Sequence, residues 1–287
     1  MTVCAASLFQ WNYGVSGQES PDFGPAFIVA SDRMMTDQGL NIEYESSRWK
    51  AAIVNKTNMV FVAGDFTFLS DAIQHLNKTI NSEQDLDTDQ IAILLSKSFV
   101  EVRNSRMERR YLSPIGVTFK DIEALRSESY IRIYEELQRE QFGVEAIVVG
   151  CSGEKAGLYR LDEFGVITNH IDIGFLSIGS GGIHSSAHLM RQPYSHQSNY
   201  FRSLRATFLA KKHAEVSPGV GSATDMFKIT KHEVLRIPDQ ITEHLEKIYR
   251  TQRVAESRRA DAEISRLGAA FEVLIQQAQA SAKSGPG

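Results

Sequence analysis

Apolar residues open the chain in short runs, at 3–9, 26–30, 51–54 and 59–63, each bounded by turn formers. The runs are rich in β-branched and aromatic residues and too short for helices, which is the signature of strands. The period then changes. Leu69, Ile73, Leu76 and Ile80 recur at steps of three and four, and Ile91, Leu94, Leu95, Phe99 and Val102 share a second such face. These spacings predict one helix over about 66–80 and another from about residue 88, capped by Asp87 or Thr88.

Between 103 and 142 the chain is more polar. Pro114 and Gly116 interrupt it, and a helical pattern resumes over 122–139. Strand-like runs return at 146–149, 157–161, 166–168 and 175–178. The turn Gly179–Ser180–Gly181–Gly182 leads into a helix near Ile183, and another helix covers about 200–216. Phe201, Leu204, Phe208 and Leu209 give that helix an apolar stripe of core type. Strands follow at 226–229 and 233–237. Pro238 suits the first turn of a last, long helix, because it has no N–H to leave unpaired there. Strands and helices come in blocks rather than in alternation, which points to layers and not to βαβ units. The fold class expected is α+β: a four-layer αββα sandwich with two antiparallel sheets between helix layers. Residues 1–237 form its domain, with an inserted helical segment at about 103–142. A C-terminal helical extension spans 238–280, and 281–287 is expected to be a disordered tail.

Composition narrows the function. A chain of 287 residues, 42% apolar and 23% charged, can bury a sizeable core without a metal or a disulfide framework. Its net charge of −4 argues against a nucleic-acid partner. The basic concentrations at 103–110 and 250–259 are interleaved with acidic residues and read as solvated helix faces. Two cysteines, Cys4 and Cys151, suggest a reducing compartment. No apolar run is long enough to span a membrane, and no signal-peptide pattern opens the chain, so a cytoplasmic location is expected.

Candidate chemistry begins at Met1–Thr2. Removal of Met1 leaves Thr2 with a hydroxyl and a free α-amine on one residue, and the amine can serve as base for the hydroxyl. An α-amine titrates near 7.7–8.0, close to working pH. Several further segments stand in a telling order: Thr2–Val3–Cys4–Ala5–Ala6; Ala26 to Asp32; Lys50 after Arg48–Trp49; Val62–Ala63–Gly64; Val148–Val149–Gly150; Leu158 to Gly165; Ile178–Gly179–Ser180–Gly181; and Gly219–Val220–Gly221 before Asp225 to Ile229. Together they resemble proteasome β subunits of the N-terminal-nucleophile hydrolase family, closest to the bacterial group that includes HslV and Anbu. The resemblance runs from Thr2 to about Ile229.

The resemblance implies the following roles. Thr2 is the nucleophile, Lys50 lowers the pKa of its hydroxyl and amine, and Asp32 holds Lys50. The Gly64 N–H binds the oxyanion. Ser180 acts near the α-amine and relays its proton. Thr36 contacts the substrate backbone, and Val62 lines the first specificity pocket. Departures from the family are also visible. The stretch 9–24 is longer than usual, which suggests an extended hairpin. The usual acidic and serine relay residues have no clean match, Glu215 and Ser217 being the nearest, and Gly182 stands where a serine is common.

Weaker signals have bland readings. His184 and His188 lie one helical turn apart but lack a third metal ligand. Residues 150–155 lack the Gly-Lys-Ser/Thr order of a phosphate loop, and Cys151 has no base beside it. No metal and no cofactor is expected. The function implied is a threonine-type endopeptidase in a self-compartmentalising homo-oligomer, a ring or open ring, acting on peptides or unfolded protein. An unfolding ATPase partner is neither named nor excluded. The alternatives are a silent structural subunit of the same fold, or a small-molecule amidase of the same nucleophile class.

Overall fold

A long hairpin starts the chain: β1 (Cys4–Tyr13) and β2 (Glu19–Asp32) pair from Cys4 opposite Ser31 out to Tyr13 opposite Glu19. The structure, a computed structural model, describes residues 2–13, 19–37, 42–46, 50–79, 86–125, 128–192 and 198–283. Arg48–Trp49, part of the family-like pattern, and residues 284–287 of the expected tail lie outside the described residues. A small hairpin follows, β3 (Met34–Asp37) with β4 (Ile42–Glu45), which no apolar run marks. Then come β5 (Ala51–Asn55), β6 (Asn58–Ala63), α1 (Phe66–Thr79) and α2 (Thr88–Met107). Of the two proposed caps, Asp87 takes the role: its side chain accepts the Gln90 N–H, and the Gln90 side chain answers on the Asp87 N–H.

The more polar segment continues α2 through a π-helical turn (Glu108–Leu112) and a 3₁₀ turn (Ser113–Ile115) to α3 (Phe119–Leu125) and α4 (Glu128–Arg139). Met107, Leu112, Ile122 and Leu137 form its own small core. One sequence expectation is corrected here. Arg103 does not belong to a solvated face: it is 2% exposed. Its guanidinium donates to the Gln138 and Glu140 carbonyls at 3.1 and 3.0 Å and lies 4.6 Å from the Phe164 ring centroid. A planar cation with five donors can close off the carbonyls at the end of α4, which a helical-wheel reading of α2 does not reveal.

Strands resume with β7 (Glu145–Ser152), β8 (Lys155–Asp162), β9 (Ile167–Asn169) and β10 (Phe175–Ile178). Helices α5 (Gly182–Arg191) and α6 (Tyr200–Ala214) precede β11 (Thr224–Ile229) and β12 (Val234–Arg236). Both large sheets are antiparallel, with orders β10-β1-β2-β11-β12 and β5-β6-β7-β8-β9.

Side-chain parity explains the layers. In β6, Met59, Phe61 and Ala63 enter the core between the sheets, while Val60 and Val62 enter the core under α1 and α2. All six residues of β6 are buried, so a strand covered on both faces reads as a continuous apolar run. On the other side, Leu189, Ala206 and Ala210 of α5 and α6 cover the first sheet with Phe175. Leu204, Phe208 and Leu209 are buried as the stripe predicts, but Phe201 at the start of α6 is 74% exposed. The result is the α+β sandwich of four layers.

The chain divides into two compact units, Met1–Asp239 and Gln240–Gly287. The second is the body of α7 (Asp239–Lys283), which remains helical past the expected tail boundary at Ser281. No described helix is long and apolar enough to cross a membrane.

Candidate active site

Thr2 stands two residues before β1, and Asp32 is the last residue of β2. With Cys4 opposite Ser31, the pairing brings both to one end of the first sheet. The Asp32 N–H donates to the Val3 carbonyl at 3.2 Å, and the Val3 N–H donates to Asp32 Oδ1 at 3.0 Å. Lys50 comes from the other sheet. It stands just before β5, where its carbonyl accepts the Val62 N–H at 3.1 Å. Its ammonium lies 2.6 Å from Thr2 Oγ1 and 3.2 and 3.3 Å from the two Asp32 oxygens. The Thr2 hydroxyl also donates to Asp32 Oδ1. Thr2 is 1% exposed, Asp32 0% and Lys50 4%.

A buried carboxylate persists as an anion only when its lone pairs are met. Asp32 Oδ1 takes the Val3 N–H and the Thr2 hydroxyl. Oδ2 accepts the Met34 N–H at 3.1 Å and the Gly221 N–H at 3.0 Å. The Lys50 ammonium bridges both oxygens. Burial pushes the Lys50 pKa below the ordinary lysine value, and the charge of Asp32 opposes that shift. An ammonium so poised carries positive charge to the Thr2 oxygen and is a better proton donor than a lysine in water. The three residues singled out as nucleophile, activator and orienter are thus in bonding contact.

The glycine-rich turn closes on the same residue. The Ser180 hydroxyl and the Gly181 N–H both donate to the Thr2 carbonyl at 3.3 Å. Ser180 therefore holds the Thr2 backbone on the carbonyl side. Gly179 has φ +84°, and a Cβ there would lie 2.3 Å from the Thr2 carbonyl oxygen and 3.0 Å from the Ala63 Cβ, so only glycine fits. Gly64 directly follows Ala63, with φ +101°, and a Cβ there would meet the Gly143 carbonyl oxygen at 2.1 Å. Its bare backbone faces solvent beside the turn that holds Thr2. Val62 packs in the cluster under α1 and α2, and Thr36 lies in β3 opposite Glu43.

The proposed relay residue Glu215 is engaged elsewhere: Lys211 and Lys212 bind its carboxylate at 2.5 and 2.7 Å. Ser217 lies in the turn after α6, its N–H donating to the Ala214 carbonyl. Both cysteines are buried thiols. Burial raises the Cys4 pKa strongly and pushes Cys151 up to about 12, so neither is an activated nucleophile. His188 stacks on His213 with centroids 4.3 Å apart, while His184 is exposed. Among the described residues no group of three His, Cys, Asp or Glu could hold a metal.

Two supporting contacts escape the sequence reading. The Glu145 carboxylate accepts the Gly179 N–H at 3.0 Å and is held by Arg160, which buttresses the glycine turn. The Gly221 N–H reaches Asp32 from a loop far away in sequence. Backbone donors such as this carry no residue-type signal, and only the fold can reveal them.

Two antiparallel sheets between helix layers, with a Thr–Lys–Asp cluster at the sheet ends, define a proteasome-type sandwich. The solved structure of Anbu (ancestral beta-subunit) from Yersinia bercovieri is similar to the chain, with a TM-score of 0.60 over 88% of this chain and 95% of that one, at 16% sequence identity. No protein-family model matches the chain, and no curated protein does. What is shared is the fold.

Proposed function

We propose that the chain is a threonine-type endopeptidase subunit that cuts peptide bonds with Thr2 after Met1 is lost. The observation that carries this reading is the buried Thr2–Lys50–Asp32 cluster, with the Lys50 ammonium 2.6 Å from the Thr2 hydroxyl. A plain structural ion pair would not need a threonine hydroxyl bonded to both of its partners.

In the proposed reaction the Thr2 α-amine takes the hydroxyl proton as Oγ1 attacks the scissile carbonyl carbon. Lys50 stabilises the negative charge that grows on Oγ1. The Gly64 N–H takes the carbonyl oxygen as it becomes an oxyanion, a contribution of about 3 kcal/mol for one such donor. The amine then returns the proton to the leaving nitrogen as the C–N bond breaks, leaving an ester on Thr2. Water, deprotonated by the same amine, attacks that ester; as the bond to Oγ1 breaks, the amine returns the proton to Oγ1 and the acid is released. Ser180 keeps the Thr2 main chain in place, Thr36 aligns the substrate backbone, and Val62 bounds the pocket for the residue before the cut.

The Anbu neighbour is named an ancestral beta-subunit, which supports reading this chain as one subunit of an assembly. We extend this to a self-compartmentalising homo-oligomer, a ring or open ring in the cytoplasm that admits peptides or unfolded protein. The test is hydrolysis of fluorogenic peptides by the wild-type chain and by Thr2→Ala. Thr2-dependent turnover is expected. Turnover that survives in Thr2→Ala would remove the reading.

A further inference from the structure

A second buried lysine stands behind Asp32. Lys211, in the last turn of α6, is 0% exposed. Its ammonium donates to Glu215 Oε1 at 2.5 Å, to the Gly221 carbonyl at 2.7 Å and to the Ser222 carbonyl at 2.9 Å. Those three acceptors use all three of its protons. Gly221 is also the residue whose N–H holds Asp32 Oδ2 at 3.0 Å. The loop that carries it is pinned from its other side, where the Ala223 N–H donates to Glu45 at 3.1 Å. Lys211 thus grips the carbonyl side of Gly221 while Asp32 takes its amide side.

The ordinary explanation is that a cation at a helix C-terminus favours the helix dipole. Lys212 already supplies that, together with its own contact to Glu215 at 2.7 Å. Burying a second ammonium beside the already buried Lys212 costs more than such a tie needs. The position of Lys211 gives a different return. It fixes Gly221 so that Oδ2 is engaged, which leaves Oδ1 facing the Thr2 hydroxyl and Val3, and it adds a positive charge behind the carboxylate.

We propose that Lys211 is a positioning residue for the reaction: through Gly221 it sets the orientation of Asp32, and through Asp32 the contact of Lys50 with Thr2. This rests on the peptidase reading above. Lys211 touches neither substrate nor the reacting atoms.

The test compares Lys211→Met, which keeps the length of the chain and removes charge and donors, with the wild-type protein and Thr2→Ala. Rates are normalised by titration with a covalent Thr-directed inhibitor, so loss of folded protein does not count. The expected result is a fall in kcat of about tenfold or more with KM within twofold. Lys211→Arg should recover part of the rate. If Lys211→Met does not fold, Lys211→Gln, which retains donors without charge, is read in the same way. A crystal structure of the variant supplies a readout independent of activity, with the Gly221 N–Asp32 Oδ2 contact opened beyond 3.5 Å. Unchanged kcat per active site, or a contact kept at 3.0 Å, would overturn the proposal. A wild-type chain without Thr2-dependent turnover would instead overturn the peptidase reading, and the crystal structure alone would then judge the Gly221 contact.

Discussion

The two units of the molecule invert each other. In Met1–Asp239 charge lies where apolar side chains normally lie: Asp32, Lys50, Lys211 and Asp225 are buried. In the helix body of Gln240–Gly287 apolar side chains lie where charge normally does. Ile264, Leu267, Phe271 and Leu274 are 60–68% exposed, at steps of three and four along one face. Each arrangement is unfavourable alone. A buried ion costs several kcal/mol unless its partners are complete, and an exposed apolar row forgoes its burial energy. In the first unit the buried ions find partners within the chain. In the second, the row is exposed along the helix.

The largest expected effect would break the first half of that contrast. Lys50→Met should lower kcat by about 10³-fold or more, since the charge beside the Thr2 oxygen is lost. Asp32→Asn keeps three backbone donors near the same atoms but weakens the hold on Lys50, so its cost should be smaller, about 10²-fold. Steady-state kinetics on one peptide decides the order, and a Lys50→Met chain with full activity removes Lys50 from the mechanism.

The second effect concerns the exposed row. Burying four such side chains against a second copy is worth about 1.5–3 kcal/mol each before ordering costs. Truncation after Ile237, or Leu267→Glu with Phe271→Glu, should shift the protein to smaller species in light scattering and lower its specific activity. Unchanged mass and activity would show that the helix does not serve assembly.

The smallest effect is one of pH. Burial, then neighbouring His213, Arg205 and Arg191, hold His188 down to about 4. Unfolded histidine titrates near 6.5. Between those values the unfolded chain binds the extra proton, so stability is fully present above about 6.5 and falls as pH drops toward 4. For a half-buried ring this is about 1 kcal/mol. His188→Phe should flatten that part of the pH dependence in denaturant titrations relative to wild type, and an unchanged slope would show that His188 does not titrate this way.

The sequence made the inner strands legible where both faces are covered, so the run at 59–63 in the wholly buried β6 is unbroken. Thr2 was legible from the Met1–Thr2 start, Asp32 and Lys50 only through the resemblance to proteasome β subunits, and the fold brings the three together at the strand ends. The hairpin of β3 and β4 was not legible, because Met34–Asp37 and Ile42–Glu45 are strands of only four residues, too short to mark a period. Nor was the burial of Arg103 and Lys211. A long basic residue on a helix reads as solvated until the carbonyls it meets, at Glu140 or Gly221, are brought to it by the fold. Glu215 looked like a relay acid by position, and Lys211 and Lys212 occupy it instead.

The central claim is that Thr2 reacts as the first residue of the mature chain. Intact mass of the native protein, before and after treatment with a peptide epoxyketone, tests it most directly, because that reagent bonds to a hydroxyl and an amine on one residue. The account predicts a chain lacking Met1 that gains one inhibitor per subunit, and a Thr2→Ala chain that gains none. A chain that keeps Met1 throughout, takes up no inhibitor and still hydrolyses peptides would contradict it.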